Sequence, residues 1–144
     1  IEYNCRFGDP ETQVVLPLLE GSLLEIMLAT AEGRLHQVPV KFREGAACCV
    51  VLASQGYPKA YEKGFPITLP ELKAGEEIYI AGAEEKDGRL LTSGGRVLDA
   101  VAVGDNLRQA VDAAYGLAER IQFHNAFYRR DIGRRALEAL RGER

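Results

Sequence analysis

The chain has 144 residues and a formal net charge of -3, with 18 Lys and Arg against 21 Asp and Glu. That length makes one domain the expectation, burying roughly 68% of the unfolded chain's surface on folding. The acidic balance argues against a general nucleic-acid surface, and no apolar run approaches the ~20 residues of a membrane span. No targeting segment is visible, although a chain that opens without methionine cannot testify about one. Charge is unevenly spread. Residues 1–33 carry six acids and one base, whereas residues 122–144 carry six arginines and three acids. Solvated helix ends account for the basic tail more simply than a phosphate-facing or domain-docking patch does.

The opening residues IEYNCRF alternate apolar and polar side chains, which predicts a strand with Ile1, Tyr3, Cys5 and Phe7 on one face and Glu2, Asn4 and Arg6 on the other. Neighbours on the polar face then stand roughly 6.6 Å apart, so a carboxylate and an amide oxygen can converge on one ion. Both are hard ligands that suit Mg²⁺ rather than zinc. Arg6, one step further on, is placed to meet phosphate or carboxylate oxygens bidentately. The plainer reading is a half-buried strand with a solvated face. Gly8 permits a sharp turn, Asp9 is an apt N-cap, Pro10 suits a first helical position and Glu11 complements the helix dipole. Val14, Val15, Leu18 and Leu19 keep helical spacing, with Pro17 as an interruption. Ser22 is expected to cap a second helix through Leu23, Leu24, Ile26, Met27 and Leu28, which Gly33 closes.

Residues 34–44 read as a connector. Ala46 to Ala53 form a near-continuous small apolar run, the mark of a strand buried on both faces. The loop GYPKAYEKG follows, in which Tyr57 and Tyr61 either pack locally or line a site. Glu77 to Gly82 reads as a strand, Lys86-Asp87-Gly88 as a hairpin turn, and Arg89 to Thr92 as the strand's partner. Gly94-Gly95 precedes a strand through Val97, Ala100 and Val103. These are hairpin and bulge glycines rather than a phosphate loop, since neither G-x-x-x-x-G-K nor G-x-G-x-x-G surrounds them. Asp105 or Asn106 caps a long helix in which Leu107, Ala110, Val111, Ala114, Leu117, Ala118 and Ile121 recur at helical spacing. Strands crossed by one helix imply an α+β domain.

The three cysteines, Cys5, Cys48 and Cys49, lack metal or redox spacing, and their odd count argues against a disulfide framework and for a reducing cytosol. Cys48 reads as a small core side chain. His36 and His124 are too few and too scattered for a metal cluster.

The string EYNCRFGDPETQ, with its E-x-N-x-R core, resembles the last strand of an ATP-grasp domain, and its GDPETQ extension resembles the glycinamide ribonucleotide synthetase family. ACCVVLASQGYPKAYEKG, DGRLLTSGGRVLDAVAVGDNLRQAVDAAY and FYRRDIGRRAL resemble further segments of that family in the right order. One departure is Lys59-Ala60, where the family has a glycine followed by a small or acidic residue. Family members are much longer, so the resemblance implies a C-terminal fragment whose N-terminal domains are missing. Residues 1–38 are then the end of the ATP-grasp domain. Residues 39–144 are a small β-rich domain of rudimentary single-hybrid type with one long helix.

The resemblance also implies an ATP-dependent, cytoplasmic ligase that phosphorylates glycine and passes the glycyl group to phosphoribosylamine, a step of de novo purine synthesis. Glu2 and Asn4 match its metal positions, holding Mg²⁺ (or Mn²⁺) on the ATP phosphates. Arg6 matches its catalytic, substrate-binding arginine. ATP, glycine, phosphoribosylamine and the missing domains are the implied partners, with no nucleic acid and no membrane. The alternative is a lid or docking module of another ATP-grasp ligase. GDPETQ and YRRDIG speak against a biotin-dependent carboxylase.

Overall fold

The apolar run after Gly45 becomes one of the two central strands of the molecule in the computed structural model, which describes residues 1 and 5–142. In chain order the elements are α1 (Thr12–Val15), β1 (Leu19–Glu20), α2 (Leu23–Ala31), β2 (Lys41–Phe42), β3 (Ala46–Ser54), β4 (Glu76–Ile80), β5 (Ala83–Lys86), β6 (Arg89–Thr92), β7 (Arg96–Gly104), α3 (Leu107–Arg120), β8 (Ala126–Phe127) and α4 (Arg134–Leu140). The main sheet is antiparallel with strand order β4-β7-β3-β8, and β1-β2 and β5-β6 form separate two-stranded ribbons. The chain is thus a mixed α/β structure with a single 14-residue helix against its sheet. Among the described residues no helix is long and apolar enough to cross a membrane.

Alternation along β3 and β7 divides their side chains between two covers. Cys48, Val50, Leu52, Leu98, Ala100 and Ala102 join Ala110, Val111, Ala114, Leu117 and Ala118 of α3 in one buried cluster. Leu52, Leu98 and Leu117 are wholly buried, and each contributes about 2 kcal/mol from burial. Cys49, Asp99 and Val101 are equally buried but lie outside that cluster. Their face of the sheet is covered by α1 and the 3-10 turn Leu16–Leu18.

Several expectations hold. The Ser22 hydroxyl accepts the Glu25 N–H at 3.2 Å, and Asn106 caps α3 by accepting the Gln109 N–H at 3.0 Å. Gly33, at φ 70°, takes the left-handed position that ends α2, with Gly33 N bonded to Thr30 O and Arg34 N to Ala29 O, a Schellman closure. A Cβ at Gly95 would lie 2.1 Å from the Tyr57 ring, so a side chain there would displace that ring. Tyr57 meets Tyr61 edge-on at 6.1 Å, so this pair packs locally. The Lys59-Ala60 loop still closes with Lys59 N bonded to Gly56 O at 2.8 Å.

Other expectations are corrected. The opening strand falls largely on residues 2–4, outside the described residues, and Cys5, Arg6 and Phe7 belong to no strand. Asp9 is not the N-cap of the first helix: Glu11 holds that position without a side-chain bond, and the helix begins at Thr12 rather than Pro10. The Asp9 carboxylate is taken up elsewhere, by Gln13 and Arg96. Pro17 does more than interrupt. The helix stops at Val15, Leu16–Leu18 tighten into a 3-10 turn, and Leu19 enters β1. The partner of Arg89–Thr92 is Ala83–Lys86 across the Asp87-Gly88 turn, while β4 pairs with β7 instead. The connector over 34–44 contains β2, which pairs with β1.

One ion pair secures the far end of α3. Glu76, with a side chain only 7% exposed, pairs with Arg120 and accepts the Lys73 N–H at 2.8 Å, while Arg120 also donates to Glu71 O at 2.7 Å. Burial alone would raise the Glu76 carboxyl, but the Lys73 N–H and the Arg120 guanidinium outweigh it and hold the carboxyl below its usual value of 4.5. A depressed folded value means that this stabilisation is present above the ordinary glutamate range and is lost as pH falls through the folded value. Glu76→Gln is therefore expected to cost about 1.5–3 kcal/mol at pH 7. Urea unfolding at pH 7 and pH 3 checks this, the gap between the two proteins narrowing at the lower pH.

Candidate functional site

Of the three predicted site residues, Glu2 and Asn4 lie outside the described residues, and Arg6 is exposed with its Nη1 donating to the Phe7 carbonyl at 3.0 Å. Just after Arg6 the chain becomes fixed. Thr12 N bonds to Gly8 O at 3.0 Å, and the short helix that follows lays Gln13 over β7. Gln13 Nε2 donates to Asp9 Oδ1 at 2.8 Å and to Asp99 Oδ2 at 2.9 Å. Two flanking carboxylates accept only from the amide nitrogen, which settles the orientation of that amide. From the start of β7, Arg96 Nη2 pairs with Asp9 Oδ2 at 3.0 Å and Nη1 donates to the Asp9 carbonyl at 3.2 Å.

The innermost member is Asp99, 2% exposed. Burial raises its carboxyl above the usual 3.8, the Gln13 bond lowers it, Asp9 pushes it up and Arg96 pulls it down, and burial prevails. For a carboxyl with a raised folded value, the folded state gains least when the group is ionised, so this contribution falls as pH rises through that value. Asp99→Asn retains an oxygen for Gln13 and removes the buried charge. The expected result is a variant that compares more favourably with the wild type at pH 7 than at pH 4, measured by urea unfolding at both.

The thiols beside this cluster are inert. Burial pushes Cys48 up to about 11, and burial followed by the Asp99 charge pushes Cys49 up to about 12, so neither is a thiolate nucleophile at neutral pH. They line an apolar cleft of about 300 Å³ with Pro10, Val14, Ala47 and Val111. The basic tail is largely paired within the chain: Arg129 with Asp131, Arg130 with Glu119 and over the Tyr128 ring, and Arg134 with Glu138. Tyr115 Oη ties that tail to α3 by donating to Arg129 O and accepting from Ile132 N, both at 2.9 Å. His124 sits edge-on to Phe65, 4.8 Å between ring centroids, and His36 lies 3.2 Å from Gln37 Nε2.

Reading residues singly missed the partnership of Asp9, Gln13, Arg96 and Asp99. One signal for it was present: a single aspartate in the apolar stretch RVLDAVAV is destined for burial and so requires partners.

The C-domain model of phosphoribosylglycinamide synthetase matches residues 47–135. The chain belongs to that family. A phosphoribosylamine–glycine ligase of Leptospira interrogans is 50% identical over 139 residues, which cover 95% of this chain and 32% of the relative. The Synechocystis ligase of the same name is 49% identical over 140 residues, covering 95% and 33%. Among solved structures, phosphoribosylamine–glycine ligase from Thermotoga maritima matches with a TM-score of 0.74 and 44% identity, over 92% of this chain and 32% of that one. The chain therefore spans about a third of the length of the curated relatives it matches. The phosphoribosylglycinamide synthetase C-domain match takes in β3, β7 and α3 and leaves out α1 and α2. Arg96 and Asp99 fall within it and Asp9 and Gln13 before it, so the polar network crosses its boundary.

Proposed function

We propose that this chain is the C-terminal part of an ATP-dependent ligase that joins glycine to phosphoribosylamine through glycyl phosphate, making glycinamide ribonucleotide for de novo purine synthesis in the cytoplasm. The observation that carries this reading is near-50% identity across 95% of the chain to proteins bearing that ligase name. In this reading residues 1–38 close an ATP-grasp domain, and residues 39–144 form a single-hybrid-like domain. The rest of the longer polypeptide supplies the nucleotide pocket, and the isolated chain is inactive and binds ATP weakly. The exposed apolar side chains of Leu24, Met27, Leu28 and Phe42 also support a surface that further polypeptide covers. That feature is shared with the second reading, a non-catalytic lid or docking module of another ATP-grasp ligase.

Glu2 and Asn4 would hold Mg²⁺ or Mn²⁺, and the donor set fits: one carboxylate and one amide oxygen are hard ligands. Among the described residues no group of three or more His, Cys, Asp or Glu offers a rival metal site. When bound, the ion neutralises charge on the ATP phosphates. The exposed Arg6 guanidinium is suited to hold phosphoryl or acyl-phosphate oxygens bidentately. The nucleophile is an amine that positioning alone can bring to attack.

A chimera tests the reading. This chain is substituted for the matching C-terminal third of the Leptospira interrogans ligase, and the purified protein is assayed for glycine- and phosphoribosylamine-dependent ATP consumption. Turnover within about tenfold of the parent is expected, a loss of no more than about 1.4 kcal/mol of transition-state stabilisation. A folded chimera that binds ATP and makes no amide would reject the ligase reading in favour of the docking module.

A further inference from the structure

The structure assigns an anion-binding site to the C-terminal tail: a pocket in which Arg129, Arg134 and Arg135 receive the phosphate monoester of a small sugar phosphate. Naming phosphoribosylamine as the natural bearer of that group rests on the ligase reading given above. The pocket itself does not.

Charge and size carry it first. The pocket has a volume of about 500 Å³ and is lined by those three guanidiniums and a single carboxylate, Asp131. That volume suits a small molecule rather than a peptide or a nucleic acid. The six Lys and Arg positions among residues 122–144 are all arginine, whose planar fork matches phosphate oxygens in a way that the point charge of lysine does not.

The donors are also available. Among the described residues Arg135 makes no hydrogen bond or ion pair. Arg134 reaches Glu138 only at 3.6 Å, beyond hydrogen-bond length. Arg129 is engaged through Nε and Nη2, at 2.8 and 2.7 Å from the two Asp131 oxygens, and keeps Nη1 free. A guanidinium already held in one plane by its neighbour loses less freedom on taking up a ligand.

The backbone beneath these side chains is anchored. Tyr115 Oη donates to Arg129 O and accepts from Ile132 N. Gly133, at φ 79°, turns the chain against α3 where a Cβ would lie 2.7 Å from Val111 Cγ2, and Arg134 N closes that turn on Asp131 O at 3.3 Å. Arg129 and the Arg134-Arg135 pair are thereby brought to one pocket. Solvation of a helix end needs no such anchoring, whereas a binding pocket does.

The test has two arms. In the 144-residue chain, ribose 5-phosphate is titrated by NMR against the Nε–H signals of Arg129, Arg134 and Arg135. Saturable shifts with a Kd on the order of 1 mM are expected, as two exposed charged hydrogen bonds would give. Inorganic phosphate should compete, and ribose should produce no shift. Arg135→Gln removes an exposed side chain without a partner, so the fold is retained, and binding is expected to weaken about tenfold, the loss of one charged hydrogen bond. Arg89→Gln takes the same charge from the exposed start of β6 and is expected to change the affinity less than about twofold, because distant exposed charges are screened. A titration that does not saturate, equal shifts with ribose, or equal losses in the two variants overturns the pocket.

In the longer ligase, Arg135→Gln is expected to raise the KM for phosphoribosylamine about tenfold, the same lost hydrogen bond read as uniform binding, with the KM for ATP unmoved. A rise confined to ATP gives the pocket to the nucleotide, and unchanged KM values with a lower Tm give it to an ion pair within the polypeptide. Either result overturns phosphoribosylamine as the bearer, as do unchanged KM values alone. A wild-type longer chain without ligase activity rejects the functional reading instead, and the titration then decides the pocket.

Discussion

Glu2→Gln in the longer ligase is expected to lower turnover by about a hundredfold or more while leaving thermal unfolding unchanged. The substitution keeps the shape of the side chain and one oxygen, and it removes the charge that would hold a hard divalent ion. Asn4→Ala removes a neutral ligand, so higher Mg²⁺ should restore part of its loss by mass action. Arg6→Lys keeps the charge but not the planar fork, and no amount of Mg²⁺ should restore it. A Mg²⁺ titration of turnover for the three variants separates these roles. Should all three titrate like the wild type at normal rates, the metal and phosphate roles of Glu2, Asn4 and Arg6 are rejected.

The elements legible in the sequence were those decided locally or by burial on every side. β3 was plain because a strand covered by α3 on one face and α1 on the other has no polar face to blur its run. α3 was plain because Ala110, Val111, Ala114, Leu117 and Ala118 keep one buried stripe behind a side-chain cap at Asn106. What failed depended on distant partners. Asp9 has every local qualification for a cap, yet an arginine 87 residues away claims it, and a long-range ion pair with a shared amide outweighs one terminal N–H. The strand signal at 77–82 was sound, but turn chemistry at Asp87-Gly88 fixes only that some strand precedes it. Pairing β4 with β7 is a matter of the whole sheet. β8, two residues long, carries too little pattern to be seen at all. The candidate site divides in the same way. Glu2, Asn4 and Arg6 are proposed from alternation and family resemblance alone, whereas the network of Asp9, Gln13, Arg96 and Asp99 joins two segments that no local pattern connects.

Leu117→Ala should cost about 3 kcal/mol, because the side chain is wholly buried and the rigid small residues around it cannot collapse into the space left. The buried cluster to which it belongs also holds Val50, Leu52, Leu98, Ala100 and Ile121, and the buried alanines of its own helix, Ala110, Ala114 and Ala118, have no side-chain freedom with which to refill a cavity. For a chain of this size the loss corresponds to a fall of about 10 °C in Tm. It remains within the ordinary 5–15 kcal/mol stability of a domain, so the variant should still fold and melt in one cooperative step. Leu140→Ala is the matched control: its side chain is 74% exposed, and a change within about 0.5 kcal/mol is expected. Calorimetry of both variants measures the contrast. A fall of less than about 1 kcal/mol for Leu117→Ala would show that α3 is not the principal cover of the sheet. The burden would then pass to the opposite face, where α1 lies against β3 and β7 and Gln13 bonds to Asp99.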